Sequence, residues 1–261
     1  MDGTEGEDPD DGRRPLYATT LAKGLRILRA FDDGHRTLSL AELVERTGLE
    51  RSAAQRLANT LRVEGMLDRD PATRRFRPSI AWLEMAYAYY WSDELAGAAM
   101  PRLIELRDAV GETVNLARLA GEDIVYTLRL PAPRAGFAGT IPGRRLAALA
   151  TTSGRAILGS WPPAERNHAA GRWRTHPYTP QTECDRARLR RAVAVAAADG
   201  FAVARGQLVL GELAVAAPVR GANGRAEAAV QVSVSAHAWD ERRLRREILP
   251  GLLDAANALA R

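Results

Sequence analysis

A chain of 261 residues with 46% hydrophobic side chains can bury a real core, in one large domain or two smaller ones, which argues against wholesale disorder. No apolar run approaches the ~20 residues that cross a bilayer, and no charged-then-apolar leader opens the chain, so a soluble cytoplasmic protein with no membrane partner is expected. The single Cys184 excludes an intrachain disulfide framework, and the net charge of +5 favours acidic partners.

That charge is unevenly spread. Residues 1–15 begin with Asp2, Glu5, Glu7, Asp8, Asp10 and Asp11, and read as a disordered acidic tail. From Arg13 to Ile80 there are fourteen basic against eight acidic residues, a local net of +6, the electrostatic footprint of a nucleic-acid-binding segment. Arg13 and Arg14 suit either an arm into a minor groove or plain solvated charge. A first helix is expected from Thr19 or Thr20 to about Asp32, with Leu21, Leu25, Leu28 and Phe31 on its inner face.

Ser39 to Arg62 then reads as two short helices around a tight turn. Ser39 and Glu42 form an S-x-x-E capping box, and Leu40, Leu43 and Val44 make an apolar stripe. Gly48 supplies the positive φ that the turn needs, and Leu49 plugs the corner. The second helix turns Ala53, Ala54, Leu57 and Leu61 inward. Its outer face carries Arg51, Ser52, Gln55, Arg56, Asn59 and Arg62, the side-chain types that read base edges and phosphates in a major groove. The other reading of this stretch is an ordinary helical hairpin with a solvated face.

Met66–Asp70 and Arg74–Arg77, separated by Asp70-Pro71-Ala72-Thr73, make a two-stranded ribbon, hence a wing whose Arg74, Arg75 and Arg77 face phosphates. A helix over 79–95 follows, with Trp82, Tyr87, Tyr89, Tyr90 and Trp91 on nearly every side. One domain core cannot bury them all, so this segment reads as linker and dimer interface together.

Pro101 begins a further helix to about Val110, and the pattern then becomes α+β. Thr113–Leu119 and Asp123–Leu130 pair as antiparallel strands. Helices follow from Thr151 or Thr152 to Ser160, from Pro162, and from Asp185 to Asp199. Strands near 200–205, 213–219 and 226–235 precede a closing helix capped by Asp240, with Leu244, Ile248, Leu252 and Leu259 inward.

The search for chemistry returns little. There is no G-x-S-x-G elbow, no P-loop, no G-x-G-x-x-G and no H-E-x-x-H, and His35, His168, His176 and His237 are scattered. No catalytic residue, metal site or cofactor is expected. What the second half offers is an anion site. Thr151, Thr152, Ser153 and Gly154 open a helix whose free amides favour a carboxylate. Ser233 and Ser235 share one face of a strand, as ligand contacts or as satisfied polar residues.

Taken together, LAKGLRILRAF, LSLAELVERTGLERSAAQRLANTLRVEGML, GETVNLARLAGEDIVY, TTSGRAIL, LAVAAPVRGANGRAEAAVQVSVSAH and ILPGLLDAANAL resemble the IclR family of bacterial transcription regulators, from about Leu16 to the C-terminus. The aromatic stretch AYAYYWS is similar to members that control breakdown of aromatic acids. The resemblance implies a winged helix-turn-helix domain at 16–78, a linker helix at 79–95 and a GAF-like effector-binding domain at 96–261. It also implies a homodimer or dimer of dimers on a palindromic double-stranded DNA operator. A small organic acid is the implied effector, held by Thr152, Ser153, Ser233 and Ser235 beside Ala148, Leu149 and Leu213. The chain departs from the family at FAVARGQLVLGEL, where Arg205 and Gln207 replace an acidic stretch; Arg205 either pairs with an anionic ligand or lies exposed. Two other classes remain open: an enzyme housed in the second half, and a scaffold assembled through the aromatic helix.

Overall fold

The computed structural model describes residues 17–132 and 142–260. The chain divides into two compact units between Ser92 and Asp93.

The first unit contains α1 (Thr19–Leu28), α2 (Leu40–Thr47), α3 (Arg51–Val63), the antiparallel strands β1 (Leu67–Arg69) and β2 (Phe76–Pro78), and α4 (Ala81–Ser92). The capping box is formed: the Glu42 amide donates to Ser39 Oγ at 3.3 Å, and the Ser39 amide donates to the Glu42 carboxylate at 2.6 Å. Gly48 takes φ +64°, where a side chain would be strained. Ile27, Leu38, Leu43, Leu49, Ala54, Ala58, Leu67 and Phe76 close the core. The inner face of α1 differs from expectation. Gly24 and Ile27 are buried, whereas Leu21 and Leu25 are exposed. Gly24 faces α3, with Leu57 4.0 Å from where a Cβ would stand, an ordinary packing distance.

The second unit begins with α5 (Glu94–Val110), not at Pro101. Asp93 caps it through the Leu95 amide and is itself buried against Arg118 at 2.8 Å, which sets the start of the helix; Pro101 sits inside and forgoes one backbone hydrogen bond. There follow β3 (Thr113–Ala120), β4 (Asp123–Leu130), β5 (Arg145–Ala147), a 3₁₀ turn (Ala148–Ala150), α6 (Thr152–Gly159), α7 (Pro163–Arg172) and α8 (Arg186–Asp199). The unit closes with β6 (Ala202–Arg205), β7 (Glu212–Arg220), β8 (Ala226–Ser235), α9 (Glu241–Glu247) and α10 (Leu249–Ala258). The closing helix thus divides at Ile248, with Pro250 in the first turn of α10, where its missing N–H costs no intrahelical hydrogen bond.

Six antiparallel strands run in the order β5-β4-β3-β8-β7-β6. Alanines make the contact on one face: Ala156 of α6, Ala196 of α8, Ala202 of β6 and Ala216 of β7 meet in one cluster. Helices α5 and α10 pack against the sheet from the other side. Covered on both faces, β7 and β8 are nearly continuously apolar, with the few polar residues confined to one face.

Candidate functional site

In the first unit α3 presents its outer face as the sequence requires: Arg51, Ser52, Gln55, Arg56, Asn59 and Arg62 are all exposed. Among the described residues, the side chains of Arg51, Ser52, Gln55 and Arg56 have no intramolecular partner, so their donors and acceptors are available to a duplex. Arg62 donates to Asn59 Oδ1 at 3.2 Å. The wing needs correction. Arg75 is a strut, donating to Thr37 Oγ1 and the Thr37 carbonyl and pairing with Glu42 at 2.7 Å, while Arg77 pairs with Asp68 at 3.3 Å. Arg74, at the tip with φ +59°, is the wing arginine whose guanidinium is uncommitted. Arg13 and Arg14 lie outside the described residues.

The Ser39 amide, the Ser39 hydroxyl and Arg75 together hold the Glu42 carboxyl down at about 2. A carboxyl whose pKa is lower in the folded state stabilises that state above its unfolded value of 4.5 and loses the effect as pH falls towards 2. Carboxyl-detected NMR on the full chain should therefore find Glu42 titrating at least a full unit below the ordinary value of 4.5. Titration at the ordinary value would remove the strut.

In α4, Trp82 turns back into its own unit. Its indole N–H donates to the Met66 carbonyl at 2.9 Å and its ring meets Phe31 edge-on. Tyr90 is half-buried, whereas Tyr87, Tyr89 and Trp91 are exposed, Trp91 at 77%, together with Leu83 and Met85. The apolar surface of α4 is real, but Trp82 is not part of it.

In the second unit the polar side chains of the sheet gather on the face that receives α6. Gln231 is the hub: its Oε1 accepts from Tyr126 OH at 2.6 Å and from Ser153 Oγ at 2.7 Å, and its Nε2 donates to Ser233 Oγ at 3.0 Å. Thr151 caps α6 through the Gly154 amide. Burial, and then the charge of Glu212, push the Tyr126 phenol above its ordinary range, so it serves as a hydrogen-bond donor. Beside this network opens a cleft of about 750 Å³ lined by Thr113, Arg129, Glu212, Ser233 and Ser235, with Val209 and Leu210 on its rim. Arg129 donates to Asn115 Oδ1 at 3.1 Å.

The expected ligand residues separate accordingly. Ser233 and Ser235 line the cleft, while Thr152 and Ser153 lie buried, Ser153 connecting to Ser233 through Gln231. Ala148 and Leu149 are core. Leu213 pairs with Val234 on the opposite face of the sheet, because side chains alternate along a strand. Arg205 is exposed at the edge strand, 3.5 Å from the Ala236 carbonyl.

Gln207 is a clamp. Its Oε1 accepts from Arg155 and the Glu183 amide, and its Nε2 donates to the carbonyls of Gln181 and Arg205. Every hydrogen-bonding position on the amide that a ligand would need is occupied. Gln207→Leu leaves buried Arg155 with the Leu149 carbonyl as its one hydrogen-bond acceptor among the described residues, and should lower stability by about 1–3 kcal/mol, read as a fall in denaturation midpoint. An unchanged midpoint would show that the clamp carries no weight.

Arg129, Asn115, Glu212, Tyr126 and Gln231 were not foreseen. Their signal was a polar residue at alternate positions in otherwise apolar strands: Thr113 and Asn115, then Gln231, Ser233 and Ser235. Tyr126 and Arg129 escape that rule. A bulge opposite Leu116/Ala117 inserts one residue, so that positions three apart share a face.

A winged helix whose α3 turns a largely uncommitted polar face outward, followed by an α+β unit with a polar cleft on its sheet, fits a DNA-binding regulator. The chain belongs to the IclR family. Residues 20–71 match the IclR helix-turn-helix domain, and residues 87–261 match the family described as bacterial transcriptional regulator IclR C-terminal. It is 31% identical over 246 residues to the Pca regulon regulatory protein of Pseudomonas putida, covering 94% of this chain and 84% of that one. A transcriptional regulator from Rhodococcus sp. RHA1 superposes with TM-score 0.78 at 32% identity, over 93% of this chain and 97% of that chain. An IclR homolog from Microbacterium hydrocarbonoxydans, solved with 4-hydroxybenzoate, has TM-score 0.75 at 23% identity, over 92% and 97% of the two chains, and so shares the fold. The protein is a transcription regulator and not an enzyme, and the scaffold reading goes with the enzyme one. Among the described residues no helix is long and apolar enough to cross a membrane.

Proposed function

We propose that this regulator works in the cytoplasm as a homodimer, or a dimer of dimers, on a palindromic operator, and that a small organic acid bound in the second unit tunes that binding. The division of labour follows the segments 16–78 for DNA, 79–95 for linkage and 96–261 for the effector. The observation that carries the effector reading is the cleft itself: a half-buried arginine, two strand serines and a threonine on one sheet face supply donors for a carboxylate. Exposed Leu21, Leu25, Leu83, Met85, Tyr87 and Trp91 support self-association through the first unit, since an apolar surface of that extent is unfavourable in a monomer. A relative from Acinetobacter baylyi, the p-hydroxybenzoate hydroxylase transcriptional activator, supports a benzenoid acid.

Differential affinity for two arrangements of the DNA-binding units is what allows the effector to act. The test is fluorescence anisotropy of an operator fragment with the full-length protein while 4-hydroxybenzoate, 3,4-dihydroxybenzoate and benzoate are titrated. At least one acid should shift operator affinity fivefold or more in either direction, with sedimentation giving a dimer or tetramer. No shift with any acid would sink the effector class, and a monomer bound to a single half-site would sink the assembly.

A further inference from the structure

Two opposite charges line the cleft without pairing with each other. Arg129 stands on β4 and Glu212 opens β7, with β3 and β8 between them. Three strand spacings of about 4.8 Å separate β4 from β7. The register places Glu212 four residues along β7 from Ala216, the residue level with Arg129. A flat sheet would set the two backbones about 19 Å apart, a span that both side chains shorten. Among the described residues Arg129 spends one N–H on Asn115 Oδ1, and its other donors are unspent. Among the described residues the Glu212 carboxylate has neither ion pair nor hydrogen bond, although the residue lines the cleft. Burial raises the Glu212 carboxyl and Arg129 draws it back down; burial also lowers Arg129. The remaining acid on the rim, Glu112, already accepts from the Trp239 indole at 2.7 Å.

The cleft opens to the surface, so a carboxylate on its wall is accessible to water. A ligand that fills the cleft displaces that water. It must then offer Glu212 a donor or leave a desolvated carboxylate facing the ligand's own charge. An acid with no such donor gains from Arg129 and loses to Glu212.

Resting on the reading of this cleft as the effector site, we propose that Arg129 and Glu212 determine specificity, Arg129 clamping the carboxylate and Glu212 accepting from a hydroxyl at the far end of the same molecule. The effector is then a hydroxycarboxylic acid whose two groups stand at opposite ends. A plain acid, or one with the hydroxyl beside the carboxylate, is discriminated against.

The experiment is calorimetric titration of the full-length protein with two probe series: benzoate, 2-hydroxybenzoate and 4-hydroxybenzoate, and hexanoate with 6-hydroxyhexanoate. In at least one series the end-hydroxylated acid should bind about 10- to 100-fold more tightly than its deoxy partner, the range of a hydrogen bond to a charged group. Arg129→Ala should weaken that ligand by a similar factor. Glu212→Leu should abolish the preference and strengthen the plain acid, because a negative charge leaves the site. Glu212→Gln, which removes the charge alone, serves as the second variant and should also strengthen the plain acid. Equal affinity for hydroxylated and plain acids, or a preference that survives Glu212→Leu, would overturn this assignment and leave the carboxylate reading standing. Failure of every probe to bind a protein that still binds DNA would overturn both.

Discussion

Arg56→Ala lowers affinity for the specific operator by about 1–3 kcal/mol, roughly ten- to a hundredfold, and flattens preference at the base pair it reads. The expectation follows from where Arg56 stands. It is exposed midway along α3, and among the described residues its guanidinium has no hydrogen bond or ion pair. Arg, unlike Lys, offers a planar fork that can take two acceptors of one guanine edge. Contacts to phosphate behave differently: Arg74→Ala should weaken all sequences alike and reduce the salt slope by about one. Anisotropy titrations of operator and scrambled DNA at several salt concentrations separate the two. If Arg56→Ala weakens both DNAs equally, the side chain holds backbone and another residue reads the base.

The second large effect lies in the other unit. Gly154 sits in the first turn of α6, where an added Cβ would fall 2.1 Å from the Ala148 carbonyl oxygen and 2.6 Å from its carbon. Backbone atoms cannot step aside as a side-chain tip can. Gly154→Ala must therefore push α6 off the 3₁₀ turn before it, pulling Ser153 from Gln231 and loosening the network that ends at Ser233. A loss of about 3 kcal/mol is expected, and for a unit of this size each kcal/mol lowers Tm by about 2–4 °C. Gly97→Ala is the control. Gly97 is exposed in α5 with nothing within 4 Å of its added Cβ, so alanine there should stabilise by about 0.5–1 kcal/mol. Equal effects at the two positions would show that helix propensity, and not the close approach, governs Gly154.

The helix pair was legible because its signals are local. A capping box, a glycine at the turn and a polar outer face all lie within a few residues of what they specify. Failures came where distant residues decide. Leucines at 21 and 25 look like an inner face, yet the helix is rotated so that Gly24 and Ile27 face the core and the leucines face out. Arg118, 25 residues downstream, holds the Asp93 that starts α5. In the sheet the strand serines were readable from alternation, but Arg129 reaches the cleft through a bulge that depends on pairing with a second strand. Gln207 misled for a related reason: an unusual polar residue near a binding region satisfies a buried arginine.

A winged helix that reads a specific DNA site through α3 is tested most directly by enrichment of fragmented genomic DNA from the source organism with full-length protein and with Arg56→Ala, side by side. One palindromic sequence recovered by the wild type and lost in the variant is the predicted result. The same fragments recovered by both, or none recovered even at low salt, would contradict it.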